Sequence, residues 1–346
     1  MRIGSDPTDK THPYIKMKYI KMKTTKLRNA GALGVALGLA FAVGSFSIPA
    51  DAALLVWHDG NDLDADGAAE GAGETGQGGG TVQTWENKAP GGANPATQGG
   101  GGNQPTFTTT GIGGLSHPTF DGSDDWMQSA FAWNTAFSAA GDPFNSFIVF
   151  RSSGTSNAFD IMWSDAGAPQ NQVNMHGTSG GSQVPGSIRG RINGGSQNTI
   201  ASSVADGAGH VAMMGNANGA AGPGIFVVDG SITVPGGISI GANLAGGGIG
   251  LRLAGLDGSG GNNFSGDIAE FILFDSALTP DEQTGLQSLI GQKWGFATIG
   301  ATSAQEAAAN ALFAGSGGTN IYIPEPSALA LAGLGFLTLL RRRRTV

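Results

Sequence analysis

Cysteine is absent from the 346 residues, so a disulfide-stapled scaffold is excluded. Charge is scarce at 13% of residues, too little for a highly charged disordered chain, and the 61 glycines follow no Gly-X-Y period, which excludes collagen. Cations are scarcest in the middle. Between residues 53 and 324 there are six, Lys88, Arg151, Arg189, Arg191, Arg252 and Lys293, against 22 Asp and Glu, a net of −16. A surface that acidic repels phosphate backbones, so nucleic acid is not an expected partner, whereas cations and neutral polar molecules are. The length accommodates one large all-β domain or two smaller ones.

The remaining cations cluster at the two ends, eight before residue 30 and four at Arg341–Arg344. Lys16–Arg28 is basic, Ala30–Phe46 is apolar, and Ala50 and Ala52 put small residues at both recognition positions of a cleavage site. That order reads as a secretory signal peptide for signal peptidase over residues 1–52, with Met1, Met17 or Met22 as the start. At the other end, Ser327–Leu340 gives 14 mostly apolar residues, about 21 Å as a helix against roughly 30 Å of hydrocarbon. The arginines after it would hold its end in the cytoplasm. Pro324 and Pro326 interrupt any helix before it and mark an accessible segment.

Pro324-Glu325-Pro326, the apolar run, and Arg341, Arg342, Arg343 and Arg344 together resemble the PEP-CTERM sorting signal of Gram-negative and related bacteria. The resemblance implies recognition by exosortase over 323–346, removal of the tail, transient inner-membrane anchoring, and a cell-surface or extracellular-matrix destination in an organism that makes extracellular polysaccharide.

Between the ends, short runs rich in β-branched and aromatic residues alternate with Gly, Asn, Asp and Ser, as in Ala53–Trp57, Ser146–Ser152, Gln172–His176, Ser187–Asn193, Gly237–Ala242 and Asp267–Asp275. This pattern predicts an antiparallel sandwich. One helix is marked: Thr279, Pro280 and Glu282 form a capping box before Leu286, Leu289, Ile290 and Trp294 at helical spacing. Ser303 and Glu306 suggest a second capping box and a short helix within a linker, residues 297–322. Val56–Leu63, Val82–Ala89, Pro118–Met127, Phe147–Ser152, His210–Met214, Phe226–Gly230 and the closing strand and helix ending Lys293-Trp294-Gly295 resemble the concanavalin A-like lectin/glucanase superfamily in its laminin-G-like form. The resemblance spans 53–296 and implies an all-β jelly roll of two antiparallel sheets with one short C-terminal helix, flanked by apolar targeting helices at both termini.

Chemical motifs are sparse. Glucanases of that superfamily set two carboxylates about 5 to 5.5 Å apart on one strand; the nearest string is Ser265-Gly-Asp267-Ile-Ala-Glu270, with Ser where the nucleophile belongs. Gly177-Thr-Ser179-Gly-Gly181 fits a nucleophile elbow in letters only, because no helical period follows. His58, His117, His176 and His210 lack any short-spaced metal pairing. Asp62, Asp64, Asp66 and Gly67 match the opening of a calcium loop, but the twelfth place is Gly73, so a solvated acidic loop stands as the alternative. Asp121, Asp124 and Asp125 form a similar cluster. Trp126, Trp133 and Trp163 are candidate sugar platforms, with core packing as the alternative for each. The expected protein is an exported, non-catalytic lectin-like sandwich binding extracellular polysaccharide or glycoprotein; a polysaccharide hydrolase with an atypical site and a ligand-free matrix protein are the alternatives.

Overall fold

The computed structural model describes residues 52–69, 80–139, 141–152, 154–155, 159–165, 171–177, 184–195, 198–216, 223–230, 232–233, 237, 250–256, 262–296 and 300–315. The signal segment through Asp51, the run 238–249, Ser179 and the whole tail from 316 lie outside them. Among the described residues no helix is long and apolar enough to cross a membrane.

In chain order the strands are β1 (Leu54–Asp59), β2 (Thr84–Trp85), β3 (Ala96–Thr97), β4 (Thr106–Thr108), β5 (His117–Asp121), β6 (Met127–Ser129), β7 (Phe144–Arg151) and β8 (Phe159–Ser164). There follow β9 (Gln172–His176), β10 (Ser187–Arg191), β11 (Asn198–Ser203), β12 (Gly209–Asn216), β13 (Ile225–Val228), β14 (Ile232–Thr233), β15 (Arg252–Leu253) and β16 (Ser265–Phe274). The helices are α1 (Trp133–Ala136), α2 (Pro280–Trp294) and α3 (Ser303–Gly315). Two antiparallel sheets result, as the alternating runs predict. The first runs β14-β13-β12-β7-β16-β5-β4, with β1 on the second half of β16; the other runs β11-β10-β9-β8-β15-β6-β3-β2.

Phe120, Ile148, Phe150, Trp163, Val173, Met175, Ile188, Phe271 and Leu273 fill the space between the sheets. Phe147, Val149, Met213, Ile272 and Phe274 point the other way, into a second apolar cluster with Leu286, Leu289, Ile290 and Trp294 of α2 and Leu312 and Phe313 of α3. The first sheet is thus covered on both faces, which is why β7 and β16 read as nearly continuous apolar runs rather than alternating ones.

Helix α2 starts as its local sequence dictates. Glu282 N–H donates to Thr279 Oγ1 at 3.3 Å, Thr279 N–H donates to Glu282 Oε2 at 2.7 Å, and Pro280 occupies the first turn. It stops at Gly295, whose φ of +68° is left-handed.

Helix α3 corrects two expectations. Its capping box is Thr302 with Gln305, whose side chain accepts from Thr302 N–H at 2.9 Å, one residue before the predicted pair. Glu306 is instead drawn sideways to Ser288 Oγ at 3.0 Å and Gln292 Nε2 at 2.6 Å on α2. Nor is this helix a mere spacer. Phe313 meets Trp57 edge-on at 4.9 Å and is fully buried, so the folded body runs past residue 296. Gly285 permits the close approach of α3, because a Cβ there would collide with the backbone carbonyl of Gln305.

Candidate functional site

Sheet pairing brings β1 beside β16, with Asp59 opposite Glu270. A β-bulge between Ile268 and Glu270 puts Ala269 and then Glu270 toward the helix side, while Ile268 and Phe271 face the inter-sheet core. Glu270 is fully buried there. Its Oε1 accepts from Trp57 Nε1 at 2.7 Å and Lys293 Nζ at 3.0 Å, and its Oε2 accepts from Trp294 Nε1 at 2.6 Å. Lys293 Nζ also lies 2.8 Å from Asp59 Oδ1, and Lys88 Nζ joins Asp59 Oδ2 at 3.0 Å to Asp62 Oδ2 at 2.6 Å. The result is a buried series of alternating charges, Glu270, Lys293, Asp59, Lys88 and Asp62.

Burial alone would push the Asp59 carboxyl up, but the Lys293 and Lys88 ammoniums outweigh it and hold the group below its ordinary value. For Lys88 burial opposes the charge, and the Asp59 and Asp62 carboxylates outweigh it, raising the pKa. Asp62, at the open end, is pushed up by burial. Three carboxylates against two lysines leave a formal excess of one negative charge.

That excess sits where the acidic loop begins. Asp62 is 2% exposed, and its Oδ1 is buried with no hydrogen-bond partner. Asp62, Asp64 and Asp66 each bring one carboxylate oxygen to within 4.8 Å of the others. Gly67, at φ +90°, turns the loop back and donates its N–H to Asp62 Oδ2 at 3.1 Å. A cavity of about 140 Å³ opens here, lined by Asp59, Asn61, Asp62, Gly67, Ala68 and Lys88 among others. Oxygen donors with an orphaned carboxylate oxygen fit a hard cation such as calcium. Asp121, Asp124 and Asp125 converge equally closely elsewhere, and burial pushes Asp125 up to about 6.

The three tryptophans do not form a shared platform. Trp133 and Trp163 are 2% and 0% exposed and stack on each other at 5.6 Å inside the sandwich. Register decides this: Trp163 lies opposite Val173 and Leu253, on the core face. Trp126 is half-buried, with the Arg252 guanidinium over its ring at 4.2 Å.

The four histidines remain apart, and among the described residues no convergent metal-ligand group includes one. Burial drives His58 down to about 4, keeping it neutral with Nδ1 at 3.0 Å from the Glu86 carbonyl. His117, also lowered by burial, accepts the Ile112 N–H on Nε2 at 2.9 Å. His210 bonds Asp229 at 2.7 Å and Asp206 at 3.0 Å. Asp267 is bound by Arg151 at 2.6 Å and by the Thr119 hydroxyl at 2.6 Å.

Residues 323–344 match the PEP-CTERM protein-sorting motif. The tail is a sorting signal. It indicates export through exosortase to a surface or extracellular location. No curated protein matches the chain. Among solved structures, Trypanosoma rangeli sialidase is similar at 11% identity and a TM-score of 0.43, over 66% of this chain and 31% of that one. This chain therefore spans about a third of that sialidase's length. Domain 4 of AbnA, a GH43 extracellular arabinanase from Geobacillus stearothermophilus solved with arabinotriose, aligns at 12% identity and 0.38 over 66% of this chain and 96% of its own. The Ruminococcus gnavus IT-sialidase CBM40 aligns at 11% and 0.36 over 47% of this chain and 92% of its own. No residue or activity is carried over from these loose likenesses.

Sequence reasoning missed Lys293 as the partner of Glu270, and Asp59 and Lys88 as the links from there to Asp62. One signal was available: Lys88 and Lys293 are the only lysines between residues 53 and 324.

Proposed function

We propose that this chain is an exported surface or matrix protein, trimmed by signal peptidase near Ala50 and Ala52 and by exosortase at its tail. Its sandwich is lectin-like, of the concanavalin A-like, laminin-G-like kind, and binds an extracellular polysaccharide or glycoprotein without hydrolysing it. The sorting motif at 323–344 carries the reading. Binding rather than hydrolysis is supported by the engagement of the two carboxylates nearest a glucanase motif. Asp267 is clamped by Arg151 and Thr119, and Glu270 is sealed beneath two indoles and Lys293. Retaining hydrolysis needs two carboxylates facing the sugar.

Calcium at Asp62, Asp64 and Asp66 belongs to the same proposal, supported by the orphaned Asp62 Oδ1 and the unbalanced charge behind it. Bound there, it would neutralise the end of the series and fix the loop.

The destination is tested by expressing the full chain with and without an exosortase and following its tail. Release of tail-less protein outside the cell only when exosortase is present is expected; intact protein in the cytosol in both cases overturns the reading. For the metal, calcium should raise the melting temperature of the wild type and leave that of Asp62→Asn unchanged. An equal shift in both, or none, removes calcium from the account.

A further inference from the structure

The sorting motif indicates export, yet the chain has no cysteine, so no disulfide can tie the start of its folded body to its end. Three side chains converge where those two ends meet. Lys293 Nζ, in the last turn of α2, lies 2.8 Å from Asp59 Oδ1 at the end of β1 and 3.0 Å from Glu270 Oε1 on β16. Water is shut out from all three: the side chains of Lys293 and Glu270 are 0% exposed and that of Asp59 is 3% exposed. The indoles of Trp57 and Trp294 wall the group, with ring centroids 6.0 and 5.0 Å from Nζ.

An amine and two carboxylates held at contact distance without solvent are the components of an amide bond. Fixing the reacting groups against each other supplies an effective concentration far above any reached in solution. A buried ion pair also carries a desolvation penalty that a neutral amide does not. The two carboxylates are not equivalent. Glu270 has both oxygens engaged by indoles, Oε1 by Trp57 Nε1 at 2.7 Å and Oε2 by Trp294 Nε1 at 2.6 Å. Asp59 instead lines the cavity beside Lys88, which gives a released water a way out. Its second oxygen, Oδ2, accepts from Lys88 Nζ at 3.0 Å, so a cation already sits where negative charge would develop during attack on Cγ. Asp59 is therefore the electrophile and Glu270 the proton relay.

We propose that Lys293 Nζ and Asp59 Cγ condense into an intramolecular isopeptide bond, with Glu270 relaying the proton; the 2.8 Å contact is the pair before reaction. One ammonium proton passes to Asp59 Oδ1, and the freed amine lone pair attacks Cγ, placing negative charge on Oδ2 beside Lys88. Nζ then gives a second proton to Glu270 Oε1, which passes it to the leaving hydroxyl. The Cγ–Oδ1 bond breaks, water departs and Oδ2 becomes the amide carbonyl. Nζ keeps one hydrogen, Glu270 ends as the carboxylate it began as, and nothing is oxidised or reduced. The bond ties β1 to α2 and closes the folded body covalently ahead of the tail.

The test is the intact mass of the purified full-length chain under denaturing conditions, followed by peptide mapping. The wild type should be lighter than its sequence by one water, and its digest should contain a branched peptide joining Asp59 to Lys293. Hydroxylamine should leave that peptide intact. A succinimide at Asp59-Gly60 would also lose one water, but hydroxylamine opens it, and that result overturns the proposal. Lys293→Arg and folded Glu270→Gln should both keep their full mass. The wild-type map decides the matter even where a variant does not fold. A wild type of full mass, a link from Lys293 to Glu270, or a folded Glu270→Gln chain that links as completely as the wild type overturns the proposal.

Discussion

Between the first sheet and α2, two lysines and three carboxylates meet in strict alternation, and every ammonium there touches two carboxylates. On the outer face of the second sheet Arg189 is nearly as buried, yet its neighbours are amides and a phenyl ring. Both places are largely buried, so the difference is one of compensation. A charge series in which each ammonium bridges two carboxylates locks elements in place, here β1, β16 and α2. Arg189, with no carboxylate partner among the described residues, rests instead on an amide oxygen and a phenyl ring. His210, held between two aspartates at the head of β12 but close to solvent, lies between these cases.

Breaking the closed series gives the largest expected effect. Lys293→Met leaves Glu270 and Asp59 facing each other without their shared cation and should destabilise the fold by about 3–5 kcal/mol in urea unfolding. Adding Glu270→Gln to it should recover part of that loss. A double variant no more stable than the single would mean that packing, not charge pairing, holds this region.

Acid probes the same region more gently. His58, beside Asp59 on β1, protonates near 6.5 when unfolded and only at about 4 when folded. The unfolded chain therefore binds more protons between those values, and stability should fall as pH drops from about 6.5 to 4, by about 3 kcal/mol. Replacing His58 with Gln should flatten that part of the pH–stability curve. An unchanged curve would assign the acid sensitivity to other groups.

The smallest effect belongs to His210. Burial opposes its charge, but the hydrogen bonds to Asp229 and Asp206 outweigh burial and raise its pKa above the ordinary value. Its stabilising contribution is thus complete below about 6.5 and lost as pH rises through the raised folded value. Because Asp206 is largely exposed, solvent screening keeps this under about 1 kcal/mol. His210→Gln should remove the slope on the alkaline side of 6.5 and leave the acid limb dominated by His58.

Several strands, helix α2 and the tail were readable because their signals are local. Strand β11 (NTIASS) and the two-residue strands β3 and β14 were not, since polar or very short segments show no usable alternation. The closed charge series was invisible for another reason: Trp57 and Glu270, which share a hydrogen bond, are 213 residues apart. Likewise the pairing of Asn174 with Arg189 depends on which residues of β9 and β10 face each other.

Sequence alone was enough for the ends of helix α2 and the address of the protein. Thr279, Glu282 and Gly295 act within a few residues of themselves, and the motif at 323–344 is contiguous. Tertiary structure decided which face each side chain took. A one-residue bulge at Ala269 turned Glu270 toward Lys293, and strand register put Trp163 in the core and Arg189 on the outer face of the second sheet. In a sheet, a shift of one residue exchanges inside for outside, so those outcomes follow from pairing between distant strands and from nothing local.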